Sequence, residues 1–500
     1  MDLQTLFSGI LASLEPVRLF WGFVGVTLGT IVGALPGLGP VTGIALLLPL
    51  TFGMEPLSGL LLLVGIYQGC MFGGRISSIL INVPGDPAAV VTTFDGYPLT
   101  QKGRAGFALT LSALASFFGS IVGFIGLAFL SVVFSKFAVK FGPPEYFALM
   151  LFALISTSGI LEKRPFKAMI VTVLGLLMAM MGNDFVTGEM RLAFDSPYLY
   201  EGIDFVPVTI GIFGVSEVLS RIGKADYTLF KEKIPNTDLF PKVREVWENF
   251  GAMVRGTFIG FIVGVLPGAG ATVATFLAYG VEKKISKEPD KFGTGVPQGL
   301  ASPEAANNAS VGGSLVPLFT LGIPGSGTAA ILLGALMMMG LKPGPLLFQT
   351  SGDIVWGVIG GLLVANIMLV ILNTVFVPAF VTMIRVIDPY LVPVVSALCI
   401  FGIYVLNYRM FEVWIMLIFG IIGYIMRKLG YPLAPLVLAL ILGQTTETSL
   451  RQSLIMSEGS WSIFFLQPIA AVLMLANIAM LLWPLIGSLR ARRNKEAVGR

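Results

Sequence analysis

The sequence predicts an all-α polytopic membrane protein made of two inverted-topology repeats, each with a re-entrant hairpin and a broken helix. Three observations predict it. The composition is apolar and poor in charge, a glycine–proline motif returns 231 residues after its first appearance, and basic clusters flank the second copy of that motif on both sides.

Of the 500 residues, 55% are hydrophobic and only 12% charged, about half the charged share of a soluble domain. Mean hydropathy is +0.87. Such a chain cannot cover itself with polar groups, which excludes a cytosolic enzyme and a disordered scaffold and leaves a multi-span protein in a lipid bilayer. A net charge of +4 is too small to suggest nucleic-acid binding. Cys70 and Cys399 lie in apolar runs, so neither a disulfide framework nor a metal cluster is expected. There is no histidine, which removes the commonest metal ligand and the usual proton shuttle. No Lys or Arg precedes Arg18, and nothing marks a cleaved signal.

Hydrophobic stretches of spanning length sit near 57–82, 106–133, 144–161, 166–182, 203–220, 309–340, 352–384, 391–407, 410–426, 430–446 and 462–487. A crossing helix needs roughly 20 apolar residues. Stretches 19–52 and 252–281 differ, because each carries Leu-Pro-Gly at its middle. Three segments, 221–251, 282–291 and 490–500, hold 15 of the 32 basic residues and should be cytoplasmic. Both flanks of 252–281 are then on one side. Two arms of about 13 residues, each about 20 Å long, pass the midplane without crossing, so the stretch reads as a re-entrant hairpin. Counting backward puts Lys163, Arg164, Lys167, Lys102 and Arg104 inside, and makes 19–52 a hairpin entering from outside. Counting forward puts Arg385, Arg427, Lys428 and the tail inside; Lys136 and Lys140 fall outside, against the rule. Eleven crossings and two hairpins result, with the N-terminus periplasmic and the C-terminus cytoplasmic.

Residues 29–39, GTIVGALPGLG, match 260–270, GFIVGVLPGAG, at eight of eleven positions. Further on, Gly73-Gly74 and Val83-Pro84-Gly85 match Gly312-Gly313 and Ile323-Pro324-Gly325 in the same order. Five crossings separate the hairpins, and an odd number inverts the second copy. Inverted repeats with broken helices near the midplane are the signature of many secondary transporters. The expected organisation is a first repeat over 1–220 (hairpin 19–52, broken helix 57–95) and a connector over 221–251 with an amphipathic surface helix. A second repeat follows over 252–487 (hairpin 252–281, broken helix 309–340), then a basic cytoplasmic tail over 488–500.

A helix start exposes unpaired N–H groups and a partial positive charge, and can hold a carboxylate without a charged side chain. Pro40 suits the start of the second arm of hairpin one. Asp86-Pro87 reads as an N-cap and first helical residue, with Ser326 in the matching place of repeat two. Gly37, Gly39, Gly85, Gly268, Gly270 and Gly325 would let a ligand approach the backbone. Thr42, Ser77, Ser78 and Asn82 add hydroxyl and amide groups near the first tip and break. Asp86 reads either as a plain helix cap or, because a carboxylate at membrane depth is costly, as part of a cation site. In SPEAANNASVGGS (302–314), Ser302 and Pro303 suit a helix start. Glu304, Asn307 and Asn308 then share one face, which is either an interfacial helix start or a polar face on the substrate or cation pathway. Segment 443–453 reads as a polar interruption on the outer side, where Glu447 and Arg451, four apart, form a structural pair.

Four stretches resemble the large membrane subunit of tripartite tricarboxylate transporters, the TctA family: LPGLGPVTGIALLLPLTFGM (35–54), GIDFVPVTIGIFGVSEVL (202–219), residues 302–348 from SPEAANNASVGGS to GPLLF, and the region around SLRQSL (449–454). The likeness covers nearly the whole chain in order. It departs at 443–448, GQTTET, where the family has Gly-Pro and acidic residues. The resemblance implies a small four-helix membrane subunit and a periplasmic solute-binding protein as partners. It also implies citrate or related carboxylates as substrates, a sodium or proton gradient as driving force, and the inner membrane of a Gram-negative bacterium as setting. The glycines of the two motifs, Asn307 and Asn308 match family motif positions and are carried over as candidate binding positions. No cofactor is expected beyond a coupling cation, sodium in preference to a proton given the absence of histidine. The competing readings are an ATP-driven permease domain, for which the chain has no phosphate-binding loop, a channel, and an intramembrane enzyme, for which it has no reactive cluster.

Overall fold

The computed structural model describes residues 3–35, 38–138, 140–159, 165–184, 187–221, 241–268, 270–344, 346–376, 393–394, 396–405 and 408–482. The first half comprises α1 (Leu3–Ser13), α2 (Pro16–Ala34), α3 (Gly39–Leu47, continued by a 3-10 turn, Leu48–Thr51), α4 (Pro56–Ile81), α5 (Val90–Gln101), α6 (Ala105–Ala138), α7 (Pro143–Gly159) and α8 (Pro165–Ala179). A two-residue strand pair, Gly182–Asn183 with Met190–Arg191, follows. Next come α9 (Phe205–Thr209), a π-helical turn (Ile210–Val215) and α10 (Ser216–Arg221). The second half comprises α11 (Val243–Val265), α12 (Gly270–Ile285), α13 (Pro297–Leu321), α14 (Gly327–Met338), α15 (Leu347–Thr350) and α16 (Gly352–Leu372). It continues with α17 (Ser396–Val405), α18 (Met410–Lys428), α19 (Ala434–Met456), α20 (Ile463–Leu466) and α21 (Pro468–Leu482).

The chain is an all-α membrane protein. Among the described residues, five helices are long and apolar enough to cross a bilayer: α2, α4, α6 over Ala105–Lys136, α16 and α18. Large apolar side chains such as Phe166, Ile170, Val173, Val472 and Leu475 stand exposed, a surface that lipid and not water can cover. Two helices instead lie inside. Every residue of α4 from Leu57 to Ile79, and of α13 from Gly299 to Thr320, is buried. A helix buried on all sides must meet its neighbours closely, and glycine supplies the closeness.

The contacts repeat between halves. Gly25, Gly29 and Gly33 line one face of α2, and a Cβ on them would collide with the carbonyl oxygens of Leu62, Ile66 and Cys70 in α4. Gly256, Gly260 and Gly264 line one face of α11 and meet the carbonyl oxygens of Ser302, Ala306 and Ser310 in α13 in the same way. The helix pair α2–α4 therefore recurs as α11–α13, with shifts of 231 for the first helix and 240 for the second. Gly73 packs on Thr30 and Ala34, and Gly313 packs on Phe261 and Val265. That corrects the alignment of Gly73-Gly74 with Gly312-Gly313 by one residue. Gly73 corresponds to Gly313 and Gly74 to Ser314, while Gly312 turns the other way, onto Gly123 of α6.

Three expected boundaries move. Helix α13 begins at Pro297 behind Val296, so Ser302 and Pro303 sit inside it and do not start it; Pro297, among the first helical residues, supplies the pre-set φ. Val90 opens α5, and Asp86 caps the turn before it, accepting from Ala89 N–H at 2.8 Å. Residues 443–453 continue α19 unbroken, so their polarity marks a change of surroundings and not a break. Helix α11 runs unbroken across the expected 251/252 boundary, and its Glu245 accepts from Lys242 N–H at 3.0 Å and pairs with Arg104 at 2.6 Å. The Lys242 amide and then Arg104 hold the Glu245 carboxyl below the usual carboxylate range. Residues 222–240, the basic tail, Lys163, Arg164 and Arg385 lie outside the described residues.

Gly29→Ala and Gly260→Ala should each lower stability by about 1–3 kcal/mol through backbone overpacking. Gly22→Ala, in α2 but with open space at the Cβ position, should be neutral or stabilising by up to about 1 kcal/mol. Thermal unfolding in detergent checks this; equal losses at Gly22 and Gly29 would contradict it.

Candidate functional site

Four helices begin around one cavity of about 240 Å³. Helix α3 starts at Gly39, α12 at Gly270, α14 at Gly327 and α19 at Ala434, and residues of all four first turns line the cavity. Each start has a local cause. Gly39 and Gly270 occupy equivalent places and adopt φ of +49° and +60°, a left-handed conformation that glycine takes without strain at the first residue of α3 and of α12. Ser326 caps α14, its hydroxyl accepting from Ala329 N–H at 3.2 Å. Proline stands among the first residues of α3 (Pro40) and α19 (Pro435). The start of α19 is not apparent in sequence as part of the site. Its only local sign is the pair of prolines at 432 and 435.

A helix N-terminus carries about half a positive charge on its unpaired N–H groups, so the cavity has an anion-attracting wall without a single Lys or Arg among the described residues that line it. One charged side chain does line it, Asp86. Tyr67 of α4 also lines it, and its hydroxyl lies 3.3 Å from Ser314 Oγ and 3.2 Å from Ser326 Oγ, bonding across the two halves.

Of the residues singled out in sequence, Asp86, Gly268, Gly270 and Ser326 line this cavity, and Gly39 packs on Asp86. The others stand elsewhere. Gly85 closes on the Gly33 carbonyl and Gly74, and Gly325 on the Gly264 carbonyl and Ser314, so both hold the breaks against their hairpins. Ser78 donates to the carbonyls of Gly74 and Ala89, and Ser77 to Gly74. Asn82 takes φ +58° as the C-terminal cap of α4. Thr42 is buried within α3. Asn308 donates to the Glu304 carbonyl at 3.0 Å, while the side-chain oxygens of Asn307 and Asn308 are buried without a donor. Glu304, 1% exposed, accepts from Thr92 and, at 3.2 Å, from Ser116, so it ties α13 to α5 and α6 away from the cavity lining. Gly37 lies outside the described residues.

Three further groups escaped the sequence reading. Arg75 is fully buried and donates to the Leu109 carbonyl, Ser112 and Asn373. Asp95 of α5 is fully buried, and its Oδ1 accepts from the amides of Gly293, Gly295 and Val296 at 2.9, 2.8 and 2.7 Å. Its Oδ2 accepts from Tyr279 of α12 at 3.0 Å, so one carboxylate fastens the loop before α13 and the second hairpin to α5. The third is a second cavity, of about 440 Å³, further along the same two helices: it is lined by Met337 of α14 and by Leu440, Ile441 and Gln444 of α19. At its edge Glu447 bonds Arg191 at 2.7 Å and Arg451 at 2.8 Å, and Arg451 bonds Asp184 at 3.0 Å. The expected Glu447–Arg451 pair is present, enlarged by two partners some 260 residues away. The Glu447 hydrogen bond raises the Arg191 pKa.

A sequence profile described as the Tripartite tricarboxylate transporter TctA family matches residues 19–438. The chain belongs to the TctA family. A protein of Agrobacterium vitis, described as an uncharacterized 52.8 kDa protein in the TAR-I ttuC' 3'region, is 39% identical over all 500 residues and 99% of its own length. A second A. vitis protein, described as uncharacterized in the TAR-II ttuC' 3'region, is 37% identical over 239 residues, 48% of this chain and 99% of its own length. No solved structure matches the chain. This TctA-family protein is therefore a multi-pass membrane component of a tripartite tricarboxylate transporter, a system that includes other subunits and a solute-binding protein.

Asp95→Ala removes the acceptor of three amides and should cost about 3 kcal/mol or more. Asp95→Asn keeps one oxygen and should cost less than half of that. Unfolding in detergent measures both; losses below about 0.5 kcal/mol would contradict the assigned role.

Proposed function

We propose that this TctA-family chain is the permease subunit of a binding-protein-dependent secondary transporter. It imports tricarboxylates such as citrate, or related organic anions, across the bacterial inner membrane. The observation that carries the reading is the convergence of four helix starts on one cavity with no basic side chain among the described residues of its lining. Backbone N–H groups recognise carboxylates without a fixed cation, so the site can bind an anion and release it. The cavity is somewhat smaller than a drug-sized site, in keeping with a small acid.

In this reading the halves have opposite topology, the LPG hairpins are re-entrant, and their tips meet near the midplane from opposite sides. The N-terminus is periplasmic and the C-terminus cytoplasmic. A periplasmic binding protein delivers the anion, a small four-helix membrane subunit completes the complex, and a sodium gradient drives uptake, in preference to a proton gradient. The 440 Å³ cavity is adjacent to the central site, two residues further along α19, since Leu438 lines one cavity and Leu440 the other; in this reading it lies on the delivery side. Asp86, on the cavity wall, is the cation-site candidate; Glu304 is engaged by Thr92 and Ser116.

Reconstituted with its small subunit and binding protein, the chain should accumulate labelled citrate or another anion that the binding protein holds. Accumulation should need an imposed sodium gradient and no nucleotide. Uptake that ignores ion gradients and requires ATP would sink the reading.

A further inference from the structure

We propose that two pseudo-equivalent positions beside the central cavity are filled differently: the Tyr67 hydroxyl fills one, and a monovalent cation held by the Asp86 carboxylate on the cavity wall and the Asn307 side-chain oxygen behind it fills the other. This deepens the transporter reading and rests on it only for the use to which the ion is put.

The argument starts from the repeat. With the 240-residue shift set by the glycine contacts, Tyr67, Gly74 and Asp86 of the first half correspond to Asn307, Ser314 and Ser326 of the second. Tyr67 reaches across to Ser314 and Ser326. Exchanging the halves brings Asn307 to face Gly74 and Asp86. The other contact in this set holds in both copies. A Cβ on Gly74 would lie 3.5 Å from Asp86 Oδ1, and Ser314 packs on Gly325, next to Ser326.

The chemistry of the two positions is opposite. In the second half three hydroxyls meet, and each can donate as well as accept. In the first half the same exchange sets a carboxylate opposite a carboxamide, and Gly74 brings no side chain. Asp86 accepts the amide hydrogens of Ala89, at 2.8 Å, and of Ala88, both from its own turn. Among the described residues no Lys or Arg forms an ion pair with it. Asn307 is 1% exposed and its Oδ1 has no donor. A buried carboxylate and a buried carboxamide oxygen without a donor bring no positive charge of their own to this position, and that is costly unless something positive intervenes. A third oxygen is close: Gly85 packs against the Gly33 carbonyl, in the last turn of α2, where carbonyls lack helical partners and the helix end is negative. Asparagine is shorter than tyrosine by most of a phenol ring, which leaves space for an ion where Tyr67 fills the other position. Hard oxygen donors with one formal charge suit sodium and not a transition metal.

The arrangement gives the ion a purpose. Asp86 alone would repel an anion drawn to the four helix starts. A bound cation cancels that charge, so each ligand raises the affinity of the other.

The test is sodium titration of the purified chain in detergent, without substrate or partner subunits, at constant ionic strength with choline as replacement. Stabilisation against heat reads occupancy. Sodium should stabilise the wild type and choline should not. Asp86→Asn and Asn307→Leu should each raise the apparent sodium Kd at least tenfold, and Glu304→Gln should leave it within twofold. Should Asn307→Leu not fold, Asn307→Asp keeps the volume and adds a charge, and should lower the Kd severalfold. The proposal is overturned by a wild type indifferent to sodium, by a Kd unchanged in the Asn307 variants, or by loss of binding in Glu304→Gln alone. Because no anion is present, any of these would leave the uptake experiment standing, and failed uptake would leave this titration untouched.

Discussion

The contact on which the rest of the structure depends is the backbone-to-backbone approach of α2 to α4 and of α11 to α13. Three glycines, one per turn, let each hairpin's first arm lie against the carbonyl oxygens of a fully buried helix. In lipid, helices gain little from hydrophobic burial against one another, so close packing is what holds them. This contact fixes the end of α2, and of α11, relative to the break that follows α4 or α13. Gly33 and Gly264 end the two ladders, and their carbonyls meet Gly85 and Gly325 within the breaks. The end of the first helix and the break of each half are thus held by one continuous interface.

From that constraint the site follows. Once tips and breaks are brought together, the starts of α3, α12 and α14 face one space, and α19 adds a fourth. Attraction for an anion comes from N–H groups already ordered by the helices, which lowers the cost of organising the site. The halves differ in what they add. The second half contributes hydroxyls that Tyr67 joins, and the first contributes the carboxylate of Asp86. Fastenings such as Asp95 and Glu304 hold neighbouring helices without entering the lining.

What could be read in advance was local or repeated. The Ser326 cap and the Glu447–Arg451 pair depend on residues within a few positions of one another, and the repeated glycine contacts declare themselves by copying. What could not be read was set by distance or by competition between plausible starts. Asp95 meets amides some 200 residues away, and no periodicity marks an acid that will find a glycine loop. Ser302-Pro303 has the chemistry of a helix start, yet Pro297 starts α13 five residues before Ser302, and burial on every side keeps the helix intact through Pro303. The true register of Gly73 needed the facing helix, because two adjacent glycines look alike until one of them is packed.

The measurement that tests the central claim most directly is protection of the cavity by its ligand. Thr272→Cys, on the second hairpin, and Thr328→Cys, on α14, place thiols in the lining, while the native Cys70 and Cys399 are buried. In the assembled transporter a water-soluble maleimide should label both positions. The transported anion should slow both reactions at the concentrations that half-saturate uptake. Labelling of both thiols that is unchanged by saturating anion, in variants that still transport, would contradict the assignment of this cavity as the substrate site.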